Sequence, residues 1–383
     1  MAVRHARVAD RSRVRTRCGI RVRSSSSAAR MVEFYSGVGA ARLAFASVLR
    51  VERSVAVDNS DVANAVYAAN FPFDSPLRMN IEHVDVDAIF AKVSRGSDDA
   101  FDDVLWSLAP PCQPYARRGK QLASDDPRAL SFLKIVRAIP SIRVAPRWVF
   151  VENVRGFETS AARRACVDAL RARGYEVKEI IIAPTALGIP YTRERYYLMA
   201  SLRGFDAKVE MHPAFKGRML DDDGAVVDAS AAREVKLQTL APYVDVGKHL
   251  DDSLLLSPEM IRKYWKYLDV VTTASRRCST FTAGYASTMF GGSVMLIDDD
   301  EGVLSASLDV DIISGIARVR EADVERFIGR VRWFDVEEIK RIHGVPASFT
   351  FDVAKTNKAL FLLGNSMSVD VVREILAYLV RAG

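Results

Sequence analysis

The chain has 383 residues, of which 49% are hydrophobic and 27% are charged. This composition provides apolar surface for one large core or two smaller ones, and it excludes collagen-like, disulfide-stapled and fully disordered proteins. The formal net charge is +6, but residues 1–30 hold nine arginines against the one acid Asp10. The remaining residues are therefore slightly acidic, so any nucleic-acid surface on them must be a local patch.

The four cysteines, Cys18, Cys112, Cys166 and Cys278, lie far apart, with no CxxC spacing and no neighbouring histidine cluster. This spacing favours a reducing compartment and predicts neither a disulfide framework nor a metal site. No run of 18 apolar residues occurs, so we expect no membrane partner.

Residues 1–30 are rich in arginine and include four consecutive serines at 24–27. This composition is typical of a transit peptide or a disordered basic arm. Because Met31 stands just before the first predicted strand, the segment is equally consistent with an upstream extension. The three interpretations remain open at this stage.

From Met31 onward, strand and helix patterns alternate, as in a mostly parallel, doubly wound sheet. The predicted strands are 32–35, 54–57, 104–109 and 148–151, followed by an antiparallel pair at 177–183 and 196–201. The predicted helices are 40–50, 61–70, 128–138 and 159–173. We therefore expect an α/β domain over residues 31–203.

After residue 203 the pattern changes and predicts a smaller lobe over 204–332. It includes a helix at 257–269, short strands around 278–296 and an acidic stretch at 298–311. Residues 333–383 are expected to return to the first domain, with Asp335 as the N-cap of a helix at 336–343 and a last helix at 366–381.

Residues 34–40 have the sequence FYSGVGA, which predicts a strand that runs through a glycine turn into a helix. Glycine allows close backbone approach to a ligand, and a helix N-terminus offers unpaired N–H groups. Asp58 ends the next strand, where an acid can accept hydrogen bonds from a ribose. A glycine turn of this kind is as often a plain connection as a cofactor site.

Residues 110–114 have the sequence PPCQP and follow a central strand directly. The prolines predict a rigid loop that holds Cys112 at the open edge of the sheet, where a thiol can act as a nucleophile. A buried cysteine that packs as a small hydrophobe is the alternative. Glu152 and Asn153 follow another strand, so an acid, a thiol and a nucleoside pocket converge on one rim, which favours an enzyme.

Arg193 and Arg195 stand at the predicted start of a strand, where side chains two residues apart share a face. Two guanidinium groups on one face suit an anion or a polarised base carbonyl. A salt bridge with Glu194 or another neighbour is the alternative.

The order of these blocks resembles the cytosine-5 methyltransferases, and the longer matches are similar to the tRNA(Asp) branch, historically called type-2 DNA methyltransferases. These matches are PPCQPY at 110–115, ENVRGFE at 152–158, PTALGIP at 184–190 and LGNS at 363–366. The resemblance implies a Rossmann-like S-adenosylmethionine-dependent methyltransferase sheet over 31–203, with a small target-recognition lobe.

In such an enzyme the Cys112 thiolate adds to carbon 6 of cytosine, which makes carbon 5 nucleophilic enough to take a methyl group. The resemblance implies that Glu152 holds the ring N3 and the exocyclic amine, and that Arg193 and Arg195 bind the base carbonyl and a nearby phosphate. The target base must leave its stack, which is easiest in a single-stranded loop.

The resemblance implies that S-adenosylmethionine is the cofactor and that no metal is needed. The expected cofactor contacts are Tyr35, Gly37, Val38, Gly39, Ala40, Asp58, Ile81, Glu82, Ala109, Asn365 and Ser366.

Cations beside the nucleophile loop and beside aromatic residues in the second lobe suit phosphates and stacked bases. The expected substrate contacts are Gln113, Arg117, Arg118, Lys120, Arg262, Lys263 and Lys266. The aromatic residues at 264–267 could equally belong to the core. Thr280 stands where this branch has the cysteine of a Cys-Phe-Thr motif, with Cys278 two residues earlier.

We expect a monomeric RNA methyltransferase acting on a cytosine of a tRNA anticodon loop, at position 38 of tRNA(Asp) by resemblance. A DNA cytosine-5 methyltransferase is the nearest alternative, followed by a catalytically idle nucleic-acid-binding protein and a small-molecule methyltransferase. We expect a cytoplasmic or nuclear location, or an organellar one if residues 1–30 are a transit peptide.

Overall fold

The computed structural model describes residues 28–93, 103–111, 127–233, 235–245, 252–285, 287–288, 291–297 and 302–383. The first half contains strands β1 Ala29–Phe34, β2 Val51–Asp58, β3 Leu77–Arg78, β4 Val104–Leu108, β5 Trp148–Val154, β6 Glu176–Ile182 and β7 Arg195–Ser201. Its helices are α1 Ala40–Ala46, α2 Asp61–Asn70, α3 Val86–Val93, α4 Pro127–Ala138 and α5 Ala161–Ala172.

These seven strands form one sheet in the order β3-β2-β1-β4-β5-β7-β6. Strands β1 to β5 are parallel, and β7 pairs antiparallel with both β5 and β6. The doubly wound sheet and its final antiparallel pair are therefore as the sequence predicts. This topology agrees with the Rossmann-like sheet that the resemblance implies.

Apolar side chains cover both faces of this sheet because successive residues of a strand point to opposite sides. Val32 and Phe34 pack with residues of α3, α4 and α5, whereas Met31 packs with residues of α1 and α2. The second face continues into the second lobe, where buried apolar residues such as Leu240, Phe281 and Phe334 belong to the same hydrophobic cluster.

Beyond the sheet, the helices are α6 Pro258–Tyr264, α7 Val336–Ile342, α8 Thr356–Asn365 and α9 Val369–Ala382. The short strands are β8 Val270–Val271, β9 Val294–Leu296, β10 Leu308–Val310, β11 Ala317–Val319 and β12 Val331–Arg332. Strands β8, β9 and β12 form one small sheet, and β10 and β11 form a hairpin. The strands expected around 278–296 reduce to β9, because turns and irregular backbone occupy the described residues from 278 to 293.

Asp335 caps α7 as predicted, and Glu338 completes a capping box with it. The last predicted helix is α9, which packs against α1. It begins three residues later than expected, because α8 runs to Asn365 and a short turn separates the two helices. The C-terminal segment therefore returns to the sheet.

The first strand begins at Ala29, two residues before Met31. The Ala29 amide donates to the Arg50 carbonyl at 2.9 Å, and the Arg30 amide donates to the Asp103 carbonyl at 2.8 Å. Residues 29 and 30 thus belong to the fold, which corrects the boundary expected after residue 30. Residues 1–27 lie outside the described residues. Within the described part of the chain, no helix is long and apolar enough to cross a membrane.

Candidate active site

One row of residues crosses the carboxyl ends of four adjacent strands. Val57 pairs with Phe34, Phe34 with Leu108, and Leu108 with Val151. The next residues along these strands are Asp58, Tyr35, Ala109 and Glu152. Because neighbouring strands lie about 4.8 Å apart, three strand spacings of about 14 Å in total separate the first from the last. The sheet therefore brings the expected cofactor and base residues to one edge.

The glycine turn after β1 needs an unusual backbone. Tyr35, Gly37 and Gly39 all have positive φ angles, of 60°, 53° and 86°. A Cβ atom on Gly39 would lie 2.6 Å from Cε2 of Phe71, whereas one on Gly37 would meet no atom within 4 Å. Gly39 is thus required for packing, and Gly37 leaves open space at the edge of the sheet.

Asp58 holds this turn from the neighbouring strand. Its Oδ2 atom accepts the backbone N–H of Gly37 at 2.9 Å, and its Oδ1 atom accepts the N–H of Ser60 at 2.9 Å. A carboxylate oxygen can accept more than one hydrogen bond, so Asp58 retains capacity for ribose hydroxyl groups. Its position fits the role expected for the ribose contact.

Two buried hydroxyl groups provide an independent test of whether a polar cofactor fits here. Ser36 Oγ and Ser366 Oγ are buried and have no hydrogen-bond partner among the described residues. Buried polar atoms without a partner are uncommon in proteins, and a bound polar ligand is one way to satisfy them. Together with the open space at Gly37, they fit S-adenosylmethionine, which would be held by this turn, Asp58 and the 365–366 segment.

The other expected cofactor contacts differ in what they can offer. Val38, Ala40 and Ile81 are buried in the core, so the first two can contact a cofactor only through backbone at the turn. The Glu82 side chain is exposed, and its carbonyl accepts a hydrogen bond from Lys134 Nζ at 2.5 Å. Asn365 is exposed at the end of α8.

The start of the nucleophile loop is anchored to β5. Ala109 donates its N–H to the Phe34 carbonyl at 3.3 Å, and the Asn153 side-chain amide lies 3.5 Å from the Pro110 carbonyl. Cys112, Gln113, Arg117, Arg118 and Lys120 lie outside the described residues. Their expected roles therefore stay predictions.

Glu152 lies inside β5 rather than after it, since pairing with β7 extends the strand to Val154. Its carboxylate faces Arg195, with 3.5 Å between Glu152 Oε1 and Arg195 Nε. Burial raises the pKa of Glu152, and the neighbouring guanidinium groups of Arg195 and Arg193 partly oppose this shift. A carboxyl group with a raised pKa can carry the proton that it donates to a ring nitrogen.

Arg193 differs from the expectation that both arginines begin a strand and offer their guanidinium groups on one face. Strand β7 begins at Arg195, and Arg193 precedes it with a side chain that is only 3% exposed. Its guanidinium donates to the carbonyls of Phe281, Gly364 and Ser366. These carbonyls hold Arg193 inside the protein, because hydrogen bonds from its Nη atoms offset the cost of burying the guanidinium.

Three of the expected substrate cations, Arg262, Lys263 and Lys266, lie on the surface of the second lobe. Lys263 Nζ lies 5.0 Å from the ring centroid of Tyr264, and Lys266 Nζ lies 5.0 Å from that of Trp265. Arg262 makes a bidentate ion pair with Glu325, at 2.7 and 2.8 Å. The two lysines are therefore the better candidates for phosphate contacts, and the rings of Tyr264 and Trp265 are half-buried.

One buried charge beside the turn was not predicted as a site residue. Glu33 accepts the hydroxyl of Tyr67 at 2.7 Å and the backbone N–H of Arg42 in α1 at 3.2 Å. Burial raises its pKa from 4.5 to about 7. The sequence offered one sign of this buried acid, because Glu33 is the one acidic residue among the apolar residues of β1.

A family model for C-5 cytosine-specific DNA methylases matches residues 29–381. The tRNA (cytosine(38)-C(5))-methyltransferase of Homo sapiens is 31% identical, over 91% of this chain and 98% of that protein. The protein of the same name from Mus musculus is 30% identical, over 91% of this chain and 93% of that protein.

The crystal structure of the S. pombe Dnmt2 methyltransferase superposes with a TM-score of 0.72 at 26% identity, over 93% of this chain and 99% of that one. Both the fold and the match over residues 29–381 agree with the resemblance found in the sequence. The chain belongs to the C-5 cytosine-specific DNA methylase family, and it is an S-adenosylmethionine-dependent cytosine-5 methyltransferase.

Proposed function

We propose that this enzyme methylates carbon 5 of a cytosine in a tRNA anticodon loop, at position 38 of tRNA(Asp), through a covalent bond to Cys112. The row of Asp58, Tyr35, Ala109 and Glu152 carries the proposal, because Ala109, just before the nucleophile loop, lies between Glu152 and the residues expected to hold the nucleoside. The names of the human and mouse relatives support position 38 of a tRNA as the target.

The reaction begins when the Cys112 thiolate forms a bond to carbon 6 of the cytosine ring. Glu152 lies where it can hold N3 and stabilise the charge that this addition creates. When bound, S-adenosylmethionine would supply the methyl group to carbon 5 and leave as S-adenosylhomocysteine. Transfer of the carbon-5 proton to solvent and cleavage of the bond between the Cys112 sulfur and carbon 6 then release the methylated base and free the thiolate.

Arg195 is the arginine that we assign to the base. It lies against Glu152 at the edge of the sheet, with a side chain that is 15% exposed. A guanidinium in this position can donate to the base carbonyl while its charge stabilises the adjacent carboxylate. Its role is thus to orient the ring against Glu152.

An RNA substrate suits the lysine and aromatic pairs of the second lobe. Lys263 with Tyr264 and Lys266 with Trp265 offer phosphate contacts beside aromatic rings. A base in an anticodon loop also leaves its stack at a lower free-energy cost than a paired base in duplex DNA.

The test is transfer of labelled methyl from S-adenosylmethionine to purified tRNA(Asp), to the same tRNA with uracil at position 38, and to duplex DNA. We expect label in the first alone, and none with the Cys112→Ala variant. Label on DNA alone would instead identify the protein as a DNA cytosine-5 methyltransferase. Binding of tRNA without label on any substrate would support an idle binding protein.

A further inference from the structure

Arg193 connects two segments that are far apart in the sequence. Its Nη1 atom donates to the Phe281 carbonyl at 3.0 Å. Its Nη2 atom donates to the Gly364 carbonyl at 3.1 Å and also to the Ser366 carbonyl. One buried guanidinium therefore holds the expected cofactor segment at 364–366 and a segment of the second lobe, which we call the 278–282 segment.

The residues that precede Arg193 in the sequence also form hydrogen bonds with the 278–282 segment. The Cys278 N–H donates to the Pro190 carbonyl at 2.8 Å, and the Thr192 N–H donates back to the Cys278 carbonyl at 3.0 Å. Thr280 Oγ1 donates to the Thr192 carbonyl at 3.1 Å. These bonds seat the segment directly beside residues 190–193.

A buried chain of hydrogen bonds holds the segment from the other side. The Phe281 N–H donates to the Tyr191 hydroxyl oxygen at 3.2 Å, and Tyr191 lies 3.3 Å from Nε2 of His343. His343 Nδ1 lies 2.9 Å from the Ile339 carbonyl. Burial lowers the pKa of His343 to about 3, so the ring is neutral, donates from Nδ1 and accepts the Tyr191 proton at Nε2.

The two segments joined by Arg193 also touch each other. A Cβ atom on Gly364 would overlap the backbone of Thr282 and Ala283, so only glycine allows this approach. The backbone at Gly364 therefore packs directly against the backbone of residues 282–283, beside the hydrogen bonds of Arg193. A shift of one segment therefore requires a shift of the other.

We infer that Arg193 is a positioning residue that couples the cofactor segment at 364–366 to the 278–282 segment of the second lobe. The inference rests on the proposed function, in which the second lobe meets the RNA. In this arrangement cofactor binding orders the face that receives the RNA, and Arg195 alone contacts the base. Arg193 acts on the reaction only through the two segments.

The test is calorimetric binding of S-adenosylhomocysteine to the full chain without RNA. We expect Arg193→Ala to weaken this binding at least tenfold and Arg193→Lys to restore part of it, because an ammonium can still donate to the carbonyls. Arg195→Ala is the matched control and should change the Kd less than twofold. An unchanged Kd in Arg193→Ala, with a loss confined to kcat, would place Arg193 on the base and overturn the inference.

Hydrogen exchange of the unaltered protein provides a second test that does not depend on a variant that folds. We expect S-adenosylhomocysteine to slow amide exchange at both 278–282 and 364–368. Slowed exchange at 364–368 alone would show that the two segments are not coupled. Neither measurement uses a methyl acceptor, so both remain decisive if the tRNA assay fails.

Discussion

Glu152 and Arg195 face each other across the antiparallel pair β5 and β7, with 3.5 Å between the carboxylate oxygen and the guanidinium nitrogen. Both side chains are largely buried, at 13% and 15% exposure. Burial favours the neutral acid, whereas the guanidinium favours the carboxylate. These two effects act in opposite directions on the pKa of Glu152, and burial is the larger, so the pKa is raised.

Removal of this carboxyl group should stop most of the chemistry. We expect Glu152→Gln to lower kcat about 100-fold or more, on the scale typical of one positioned catalytic group, with little change in cofactor Kd. Single-turnover methyl transfer measures the effect. Glu158→Gln is a control just after β5, since the structure pairs Glu158 with Arg155. Equal rates for Glu152→Gln and the unaltered enzyme would remove Glu152 from the site.

The pH dependence of the reaction should report the guanidinium beside this acid. Arg195 lowers the pKa of Glu152, so Arg195→Gln should raise that pKa further, as burial is then less opposed. In a plot of kcat/KM against pH, the limb that reports the ionisation of Glu152 should therefore move to higher pH. This shift is expected whether or not the maximal rate also falls. A limb that stays in place, or moves to lower pH, contradicts this assignment.

The sequence predicted the row of residues at the sheet edge because strand order and register follow from hydrophobic pattern and βα connections. It did not predict the separate roles of Arg193 and Arg195, which are two residues apart and chemically identical. The acceptors of Arg193 lie 88 and 171 residues away at Phe281 and Gly364. Local pattern carries no information about contacts at such a separation.

Asp58 should control cofactor affinity without a direct role in the chemistry. Asp58→Ala loses the acceptor of the Gly37 N–H in the turn, the acceptor of the Ser60 N–H before α2, and the expected ribose contact. Hydrogen bonds to charged groups contribute about 1.5–3 kcal/mol, so we expect a Kd for S-adenosylhomocysteine that is about 10- to 100-fold higher. The control is Asp61→Ala, an exposed acid that pairs with Arg78. A similar loss in both variants would mean that the effect is not specific to the turn.

The two glycines of the turn should differ in their cost to stability. Gly37→Ala strains the backbone alone, by about 1–2 kcal/mol, because its Cβ atom meets no neighbour. Gly39→Ala adds a clash with Phe71 and Tyr67, which we expect to lower the free energy of unfolding by about 1–3 kcal/mol more. Denaturant unfolding of the two variants measures the difference. Equal losses would show that the rings move aside.

Protonation of Glu33 should make stability depend on pH. Its pKa is about 7 in the folded protein and 4.5 ordinarily, with Tyr67, Arg42 and Asp74 as the groups that face it. The folded state then binds more protons between these values, so the free energy of unfolding falls as pH rises from 4.5 to 7, by up to about 3 kcal/mol. Glu33→Gln should remove this fall, and Glu52→Gln on the exposed part of β2 should keep it. A fall that persists in Glu33→Gln would assign it to another group.

Truncation should locate the true start of the fold. Deletion of residues 1–27 leaves β1 intact and should preserve both stability and methyl transfer. Deletion of residues 1–30 also removes the two strand residues Ala29 and Arg30, including the 3.0 Å hydrogen bond from Arg30 Nη1 to the Val93 carbonyl. The loss of these hydrogen bonds and of the strand pairing of both residues, at about 1 kcal/mol for each hydrogen bond, should lower the Tm of the shorter chain measurably. If both truncated chains unfold at the same temperature, the first two residues of β1 contribute nothing to stability.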